Sequence, residues 1–194
     1  KCDLGCSVNR IEILGKTYPF GGACNKYYNI VHNTKVNADN YDFVKIRHQL
    51  TYEKYVPSVE LPANAITVGI NQSFHTHTIY PLYYNFFTQL GCRVILSDKV
   101  NETGLEKEHT SFCYPAQLSL CLFADLVEKR PDFYFVPEIF EMYVEDAEHH
   151  RIDSNSTCVF VSGEPFYIKQ AFKGLVDVNK LITPYFDFAH GFDK

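Results

Sequence analysis

Residues 66–96 decide the fold, and they read ITVGINQSFHTHTIYPLYYNFFTQLGCRVIL. The first five residues, 66–70, form a short apolar run rich in β-branched side chains, which predicts a buried strand. From Ile79 to Leu90 apolar residues recur at the spacing of one helical face, and Gly91 follows as a C-terminal cap. Residues 92–96 form a second apolar run. Strand, helix and strand in this order indicate a crossover unit with parallel strands.

The same alternation continues toward the C-terminus. Residues 115–129 predict a second helix, with Pro115 suited to its first position. Further strands are predicted at 133–136 and 159–161, and a third helix at 164–172. The sequence therefore predicts an α/β fold, with a Rossmann-like or flavodoxin-like parallel sheet and flanking helices. Ligands of such sheets bind beyond the carboxyl ends of the strands.

The residues that precede this pattern lack the alternation of strands and helices. Two short apolar runs flank Gly15 and Lys16, which favours a β-hairpin. Pro57 and Pro62 bracket a linker. We therefore predict a small cysteine-containing hairpin module and linker over residues 1–60, and the α/β lobe over 61–194.

Composition narrows the class of protein. The chain has 194 residues, 46% of them hydrophobic, and a net charge of -5 without any basic run, which argues against a nucleic-acid binder. No apolar stretch reaches the roughly 18 residues of a membrane helix. The start on Lys1 and Cys2 suggests a cut from a longer polypeptide. Seven cysteines, an odd number, favour a reduced cytoplasmic protein, although glycosylation-type triplets begin at Asn71, Asn101 and Asn155.

Familiar catalytic loops are missing from the sequence. The sequence contains neither Gly-x-Gly-x-x-Gly after a strand nor Gly-x-x-x-x-Gly-Lys-Ser/Thr, the two common phosphate-binding motifs. It also lacks the Gly-x-Ser-x-Gly motif of serine hydrolases. We therefore expect that the chain is no ATPase on its own, and whether it is an enzyme stays open at this point.

The loop 71–78, after the first strand of the sheet, is polar. It could offer backbone N–H groups to an anion, or it could be an ordinary capped loop before a helix. His75 and His77, two residues apart, could also bind a metal from an extended loop.

Cys113 lies two residues before Pro115, at or next to the predicted helix start. The positive end of a helix favours a thiolate, the form that binds iron or attacks electrophiles. A buried thiol packed as a small hydrophobe is the alternative. Cys92 and Cys121 fall in apolar segments and are predicted to belong to the core.

Cys2, Cys6 and Cys24 form a Cys-x3-Cys-x17-Cys pattern around the predicted hairpin. Because a hairpin brings its ends together, these thiols could hold zinc or an iron–sulfur centre with a further ligand. Free, unliganded thiols are the alternative.

Five segments together resemble a known family. They are ITVGI (66–70), YPLY (80–83), LGCRVILSD (90–98), FCYPAQ (112–117) and DFYFVP (132–137). In this order they resemble the uncharacterised domain attached to acyl-CoA dehydratase activases, which are related to the 2-hydroxyglutaryl-CoA dehydratase activator. The segment YPFGGAC (18–24) resembles what precedes that domain, and the likeness covers most of residues 1–175.

The resemblance implies a function. In that family an activase couples ATP hydrolysis to low-potential electron transfer, and the electron goes to a 2-hydroxyacyl-CoA dehydratase. The dehydratase holds an iron–sulfur cluster by cysteines between Rossmann-like lobes, and this domain is similar to one such lobe. The implied partners are the ATPase modules of a longer parent chain, and acyl-CoA.

Two cysteines match the family's ligand positions. Cys113 matches the cysteine of a Cys-Tyr/Phe-Pro-Ala motif, and Cys158 matches a later cysteine, although Val159 stands where Pro is usual. Residues 137–140 lack the thiol that dehydratases often have between the two. If Cys158 started a strand, it would lie at the opposite end of the sheet from Cys113. If it lies in a loop, the two can meet.

Three functions therefore stay open after the sequence has been read. The first is an electron-transfer or dehydratase-like domain with an iron–sulfur cluster at Cys113 and Cys158. The second is a non-catalytic binding or scaffolding domain that recognises CoA thioesters or partner modules. The third is a zinc-knuckle module built on Cys2, Cys6 and Cys24.

Overall fold

The computed structural model of the 194-residue chain describes residues 4–22, 24, 26–33, 39–107, 113–144 and 155–192. The chain divides into two compact units, Lys1–Lys45 and Ile46–Lys194. Each unit has its own architecture.

The first unit contains the predicted hairpin. Strands β1 (Asn9–Ile13) and β2 (Lys16–Phe20) pair antiparallel. Leu14 and Gly15 form the turn, with φ angles of 51° and 73°, so the turn lies one residue earlier than predicted. Two residues with positive φ are typical of the hairpin turn whose twist matches the strands. Helix α1 (Lys26–Val31) follows. Most of both strands is exposed.

The second unit contains a four-stranded parallel sheet. Its strands lie in the order β4 (Arg93–Leu96), β3 (Thr67–Ile70), β5 (Phe133–Phe135) and β7 (Leu181–Ile182). All three neighbouring pairs are parallel. The predicted α/β fold with a parallel sheet and a preceding hairpin is confirmed.

One helix precedes the first strand of this sheet, and the others lie in its connections. The helices are α2 (Phe43–Gln49), which crosses the boundary between the units, α3 (Thr76–Gln89), α4 (Tyr114–Lys129), α5 (Val159–Ser162) and α6 (Glu164–Ala171). A π-helical turn at Leu50–Lys54 continues α2, and 3-10 turns lie at Asp39–Tyr41, Glu102–Lys107 and Val178–Lys180. A separate parallel pair joins β6 (Glu138–Met142) to β8 (Tyr185–Phe188).

The strand predicted at 159–161 is wrong, because these residues form α5. Val159 is 73% exposed, so the short apolar run does not enter the core as a buried strand would. Cys158 has an extended backbone as the N-cap, and Gly163 lies between α5 and α6. The fourth parallel strand is instead β7, a two-residue strand for which no prediction was made.

The core has two parts, one on each face of the sheet. One part joins α3 to the sheet and contains Val68, Ile70, Ile79, Tyr83, Phe87 and Phe135. The other joins α4 and α6 to the sheet and contains Leu120, Phe123, Leu126, Tyr134, Val136, Ile168 and Phe172. The neighbours Tyr134 and Phe135 point to opposite faces, as the period of a strand requires.

Two cysteines lie at these cores, as predicted. Cys121 on α4 is buried, and Cys92 packs against the α3 side of the core. Within the residues that the structure describes, no helix is both long enough and apolar enough to cross a membrane.

Candidate functional site

Polar side chains converge at the carboxyl end of the parallel sheet. Asn71 and Ser73 follow β3, and Ser97 follows β4. Ser119 comes from α4, and Glu164 is the first residue of α6. All five are buried. This is the edge at which open α/β sheets bind their ligands.

Glu164 is the centre of this group. Its Oε1 atom accepts hydrogen bonds from Ser73 Oγ (2.5 Å), Ser119 Oγ (2.6 Å) and Asn71 Nδ2 (3.0 Å). The residue is only 7% exposed. Burial raises the pKa of the Glu164 carboxyl, and the three hydrogen bonds reduce that rise only in part. The carboxyl therefore has an environment that favours its neutral form.

A second layer of hydrogen bonds joins this centre to β4. Asn71 Nδ2 also donates to the Ser119 carbonyl and hydroxyl oxygens, both at 3.2 Å. Ser97 Oγ donates to Asn71 Oδ1 at 3.4 Å and accepts from the backbone N–H of Gln72 at 2.7 Å. The network thus connects the ends of two strands with two helices, and nearly every polar atom in it has a partner.

Two tyrosines adjoin the network. Tyr167 on α6 donates to Ser119 Oγ at 3.4 Å, and burial followed by the nearby Glu164 carboxyl raises its pKa. Tyr83 on α3 is 3% exposed, and burial followed by Glu164 raises its pKa as well. Among the described residues, the Tyr83 hydroxyl has no hydrogen-bond partner. The Tyr83 hydroxyl therefore has one donor and one acceptor position without a partner among these residues.

Cys113 and Cys158 each precede a helical segment that contributes a residue, Ser119 or Glu164, to the network. Cys113 is the N-cap of α4, and Cys158 is the N-cap of α5, both with extended backbones. Both thiols add, after burial and Glu164, to the rise in the pKa of Tyr167. Cys158 does not start a strand, so the two can meet.

The number of thiols limits what this pair can hold. A cubane iron–sulfur cluster takes three or four thiolates. In the part of the chain that the structure describes, no group of three or more His, Cys, Asp or Glu residues is placed to hold a metal. Thiolates suit iron, but Cys113 and Cys158 supply two ligands, so the described residues alone do not complete a cluster. The predicted cluster stays a prediction.

The N-terminal thiols belong to the first unit. A side chain at Gly22 would come 3.6 Å from Cys6 Cβ and 4.0 Å from the Cys24 carbonyl oxygen. The end of the hairpin therefore brings Cys6 and Cys24 near each other, and both are exposed. Cys2 lies outside the described residues. A metal site at these three cysteines likewise stays a prediction.

The loop after β3 is held from both sides. Its Asn71 and Ser73 side chains point into the network, while His77 Nδ1 lies 2.9 Å from the Tyr52 hydroxyl. Arg47 donates to Thr78 Oγ1 at 2.7 Å. The loop thus fixes its own polar groups inside the fold, although the N-cap residue His75 makes no side-chain hydrogen bond to the start of α3.

The two loop histidines have perturbed pKa values. Burial lowers the pKa of both His75 and His77. Their environment therefore favours neutral imidazoles. One ring nitrogen of His77 is already engaged by Tyr52, which leaves it one nitrogen for any other partner.

The sequence did not predict five residues of this site, namely Tyr83, Ser97, Ser119, Glu164 and Tyr167. Ser119 did carry a signal, because it is a polar residue inside the apolar run LSLCLF of α4. Glu164 carried none, because an acid at a helix start is ordinarily solvated.

A comparison with protein families completes the description. A family model described as the CoA enzyme activase uncharacterised domain matches residues 67–194, about two thirds of the chain. The matched part includes the whole parallel sheet, the Glu164 network and both Cys113 and Cys158. No curated protein and no solved structure matches the chain.

Proposed function

The chain belongs to the CoA enzyme activase uncharacterised domain family, and from this we propose that it acts as a dehydratase-like lobe of an activase-type protein. In this proposal Cys113 and Cys158 hold part of an iron–sulfur cluster. The observation that carries the proposal is their place in the fold: Cys113 and Cys158 are the N-caps of α4 and α5, and the hydrogen bond from Ser119 to Glu164 joins α4 to the segment that follows α5.

The chemistry of the surroundings supports this assignment. Thiolates are the ligands of iron–sulfur clusters, and Cys113 lies at the start of the sixteen-residue helix α4, where backbone N–H groups have no partner within the helix. When bound, such a cluster supplies one-electron transfer at low potential. Because the pair supplies two ligands, the others come from a second lobe or from a partner module of the parent chain.

The chain's own residues position and tune this centre. The Tyr167 hydroxyl donates to Ser119 Oγ, which in turn donates to Glu164. Hydrogen-bond donors and burial around sulfur ligands set the potential of a cluster. The thiols must stay reduced for this role, which fits a cytoplasmic location.

Anaerobic iron analysis tests the proposal. The chain is produced and reconstituted with iron and sulfide without oxygen, together with its parent ATPase modules, and iron, sulfide and visible absorbance are measured. Either Cys113→Ala or Cys158→Ala should abolish the bound iron. Cys6→Ala, a thiol of the first unit, is the matched control and should retain it.

Two results would count against the proposal. A wild-type complex without bound iron contradicts it outright. Iron that disappears in Cys6→Ala and persists in both other variants assigns the metal to the N-terminal cysteines instead.

A second candidate is a non-catalytic domain that recognises CoA thioesters or partner modules. It is favoured by the observation that the described residues contain no group of three or more His, Cys, Asp or Glu side chains placed to hold a metal. It predicts that acyl-CoA or the ATPase modules bind equally well to the wild type and to Cys113→Ala, as measured by calorimetry. Binding that is lost in Cys113→Ala would argue against it.

A further inference from the structure

A cavity of about 490 Å³ lies beside β7, the edge strand of the parallel sheet opposite β4. The buried part of its lining comes from Phe123 on α4 and from Ile168 and Phe172 on α6 and at its end. The Phe123 and Phe172 rings pack together, with centroids 4.8 Å apart. Small-molecule pockets have volumes of roughly 300–1,000 Å³ and mostly apolar linings. The cavity therefore has the size and the lining of a ligand site.

Large apolar side chains remain exposed at the mouth of this cavity. Phe166 is 63% exposed and Val178 is 48% exposed, and both belong to the lining. A single exposed apolar residue is ordinary on a protein surface. Here the exposed side chains join the buried ones in one concave apolar surface, which is typical of a binding site. A ligand that fits this surface has an apolar body.

Two lysines line the same cavity. Lys169 and Lys173 are four residues apart and both are exposed. Neither forms an ion pair within the described residues, and none of the described lining residues is acidic. Asp177, the acid nearest to Lys173 in the sequence, instead accepts hydrogen bonds from the backbone N–H and the side-chain amide of Asn179, both at 3.0 Å. The cavity thus combines an apolar lining with uncompensated positive charge.

We propose that this cavity binds an amphipathic anion, an apolar chain that ends directly in one negatively charged group, of which a fatty carboxylate is the simplest member. The chain packs on Phe123 and Phe172, and Lys169 and Lys173 donate to the anionic group. In an acyl-CoA the pantetheine arm separates the phosphates from the acyl chain, whereas here the lysines and the phenylalanines line one cavity. The site goes beyond the proposed function, because it needs no iron–sulfur cluster and shares no lining residue with the Glu164 network.

Calorimetry with the 194-residue chain tests this proposal. Decanoate is the probe, and decanol, which has a chain of the same length without a charge, is the comparison. The wild type should bind decanoate at one saturable site. In the double variant Lys169→Gln with Lys173→Gln, the Kd for decanoate should rise about three- to tenfold, the effect of removing two partly exposed ion pairs. The Kd for decanol should not change.

Two further variants sharpen the result. Lys54→Gln with Lys99→Gln removes the same amount of charge from exposed lysines outside the lining, and should bind decanoate like the wild type. Val178→Trp places a large side chain at the mouth of the cavity and should weaken the binding of decanoate and decanol alike. If circular dichroism shows that Val178→Trp does not fold, the two lysine variants decide.

The proposal is overturned if the wild type does not bind decanoate, or if the change of Lys169 and Lys173 leaves its Kd as it was. It is also overturned if a folded Val178→Trp binds both ligands like the wild type. Decanoyl-CoA that binds more tightly than decanoate, with the same dependence on the lysines, would assign the cavity to CoA thioesters and contradict the proposal.

The outcome is independent of that for the iron–sulfur cluster. Iron-free protein that binds decanoate in a lysine-dependent way contradicts the proposed cluster alone. A complex that holds iron but does not bind decanoate contradicts the assignment of the cavity alone.

Discussion

The two ends of the parallel sheet each hold an acid, in opposite environments. At the amino end, Asp132 Oδ2 accepts from the Thr67 backbone N–H at 2.8 Å and from its hydroxyl at 2.7 Å. These hydrogen bonds lower the pKa of Asp132, whose carboxyl is exposed. At the carboxyl end, Glu164 is buried, and burial raises its pKa.

The difference indicates that Asp132 has a structural role and that Glu164 is a candidate functional residue. Asp132 ties the start of β3 to the start of β5 while its carboxyl stays in water, which costs little. At the carboxyl end of the sheet the fold buries Glu164 and four neutral polar side chains, although protein cores are ordinarily apolar. Such local conflicts concentrate at functional sites. The four following experiments test how far this contrast extends.

The largest effect is expected from Glu164→Ala. The change leaves the buried hydroxyls of Ser73 and Ser119 without their acceptor, whereas Asn71 Nδ2 keeps the Ser119 oxygens. Each unpartnered buried group costs about 1–3 kcal/mol. The free energy of unfolding should therefore fall by at least about 2 kcal/mol. Urea unfolding followed by circular dichroism measures it.

Glu164→Gln is the control for that change. It keeps an oxygen acceptor in the same place, so it should cost less than about 1 kcal/mol, the net value of a typical hydrogen bond. An equal loss of stability in both variants would show that the volume of the side chain matters and the acceptor does not.

A smaller effect is expected from Ser119→Ala. Glu164 would then keep two of its three donors, so the loss should be about 1 kcal/mol. Thr67→Val removes the hydroxyl that donates a hydrogen bond to Asp132 at the exposed end of the sheet. This change should lower the free energy of unfolding by less than Ser119→Ala does. Equal losses in the two variants would mean that the ends of the sheet do not differ in the way proposed.

The sequence predicted most of the sheet correctly. The strands at 66–70, 92–96 and 133–136 were found to within about one residue, because apolar runs between helical segments are a strong signal. The helix start at Cys113 was predicted from Pro115. Strand β7 was missed because two residues are too few to form a pattern, and the strand at 159–161 was wrong because an equally short apolar run lies in a helix.

The buried acid could not be predicted in the same way. The partners of Glu164 lie 45, 91 and 93 residues away in the chain. Nothing in the local sequence around Gly163 and Pro165 distinguishes a buried acid from a solvated one. The sequence indicated a polar loop after β3, either an anion site of backbone N–H groups or an ordinary capped loop, and neither interpretation placed Asn71 and Ser73 against Glu164.

The pH dependence of unfolding should have opposite signs for the two acids. Because the pKa of folded Glu164 is raised above its usual value of 4.5, its contribution to stability is complete below that value and is lost as pH rises through the folded pKa. Asp132 has a lowered pKa, so its contribution is present above its usual value of 3.8 and is lost as pH falls.

Urea unfolding at a series of pH values measures both contributions, which are expected to be small beside the loss in Glu164→Ala. Glu164→Gln should remove the decline on the alkaline side, and Asp132→Asn should remove the decline on the acid side. Curves for Glu164→Gln that run parallel to the wild type would mean that Glu164 titrates as an ordinary acid.

The central claim is that Cys113 and Cys158 act as one unit at the carboxyl end of the sheet. The most direct measurement is the iron content of the anaerobically reconstituted complex in the wild type, in Cys113→Ala, in Cys158→Ala and in the double variant. If the thiols are ligands of one cluster, each single change should abolish the bound iron, and the double change should add nothing. Iron that is halved by each single change, or that is unaffected by either, would contradict the claim.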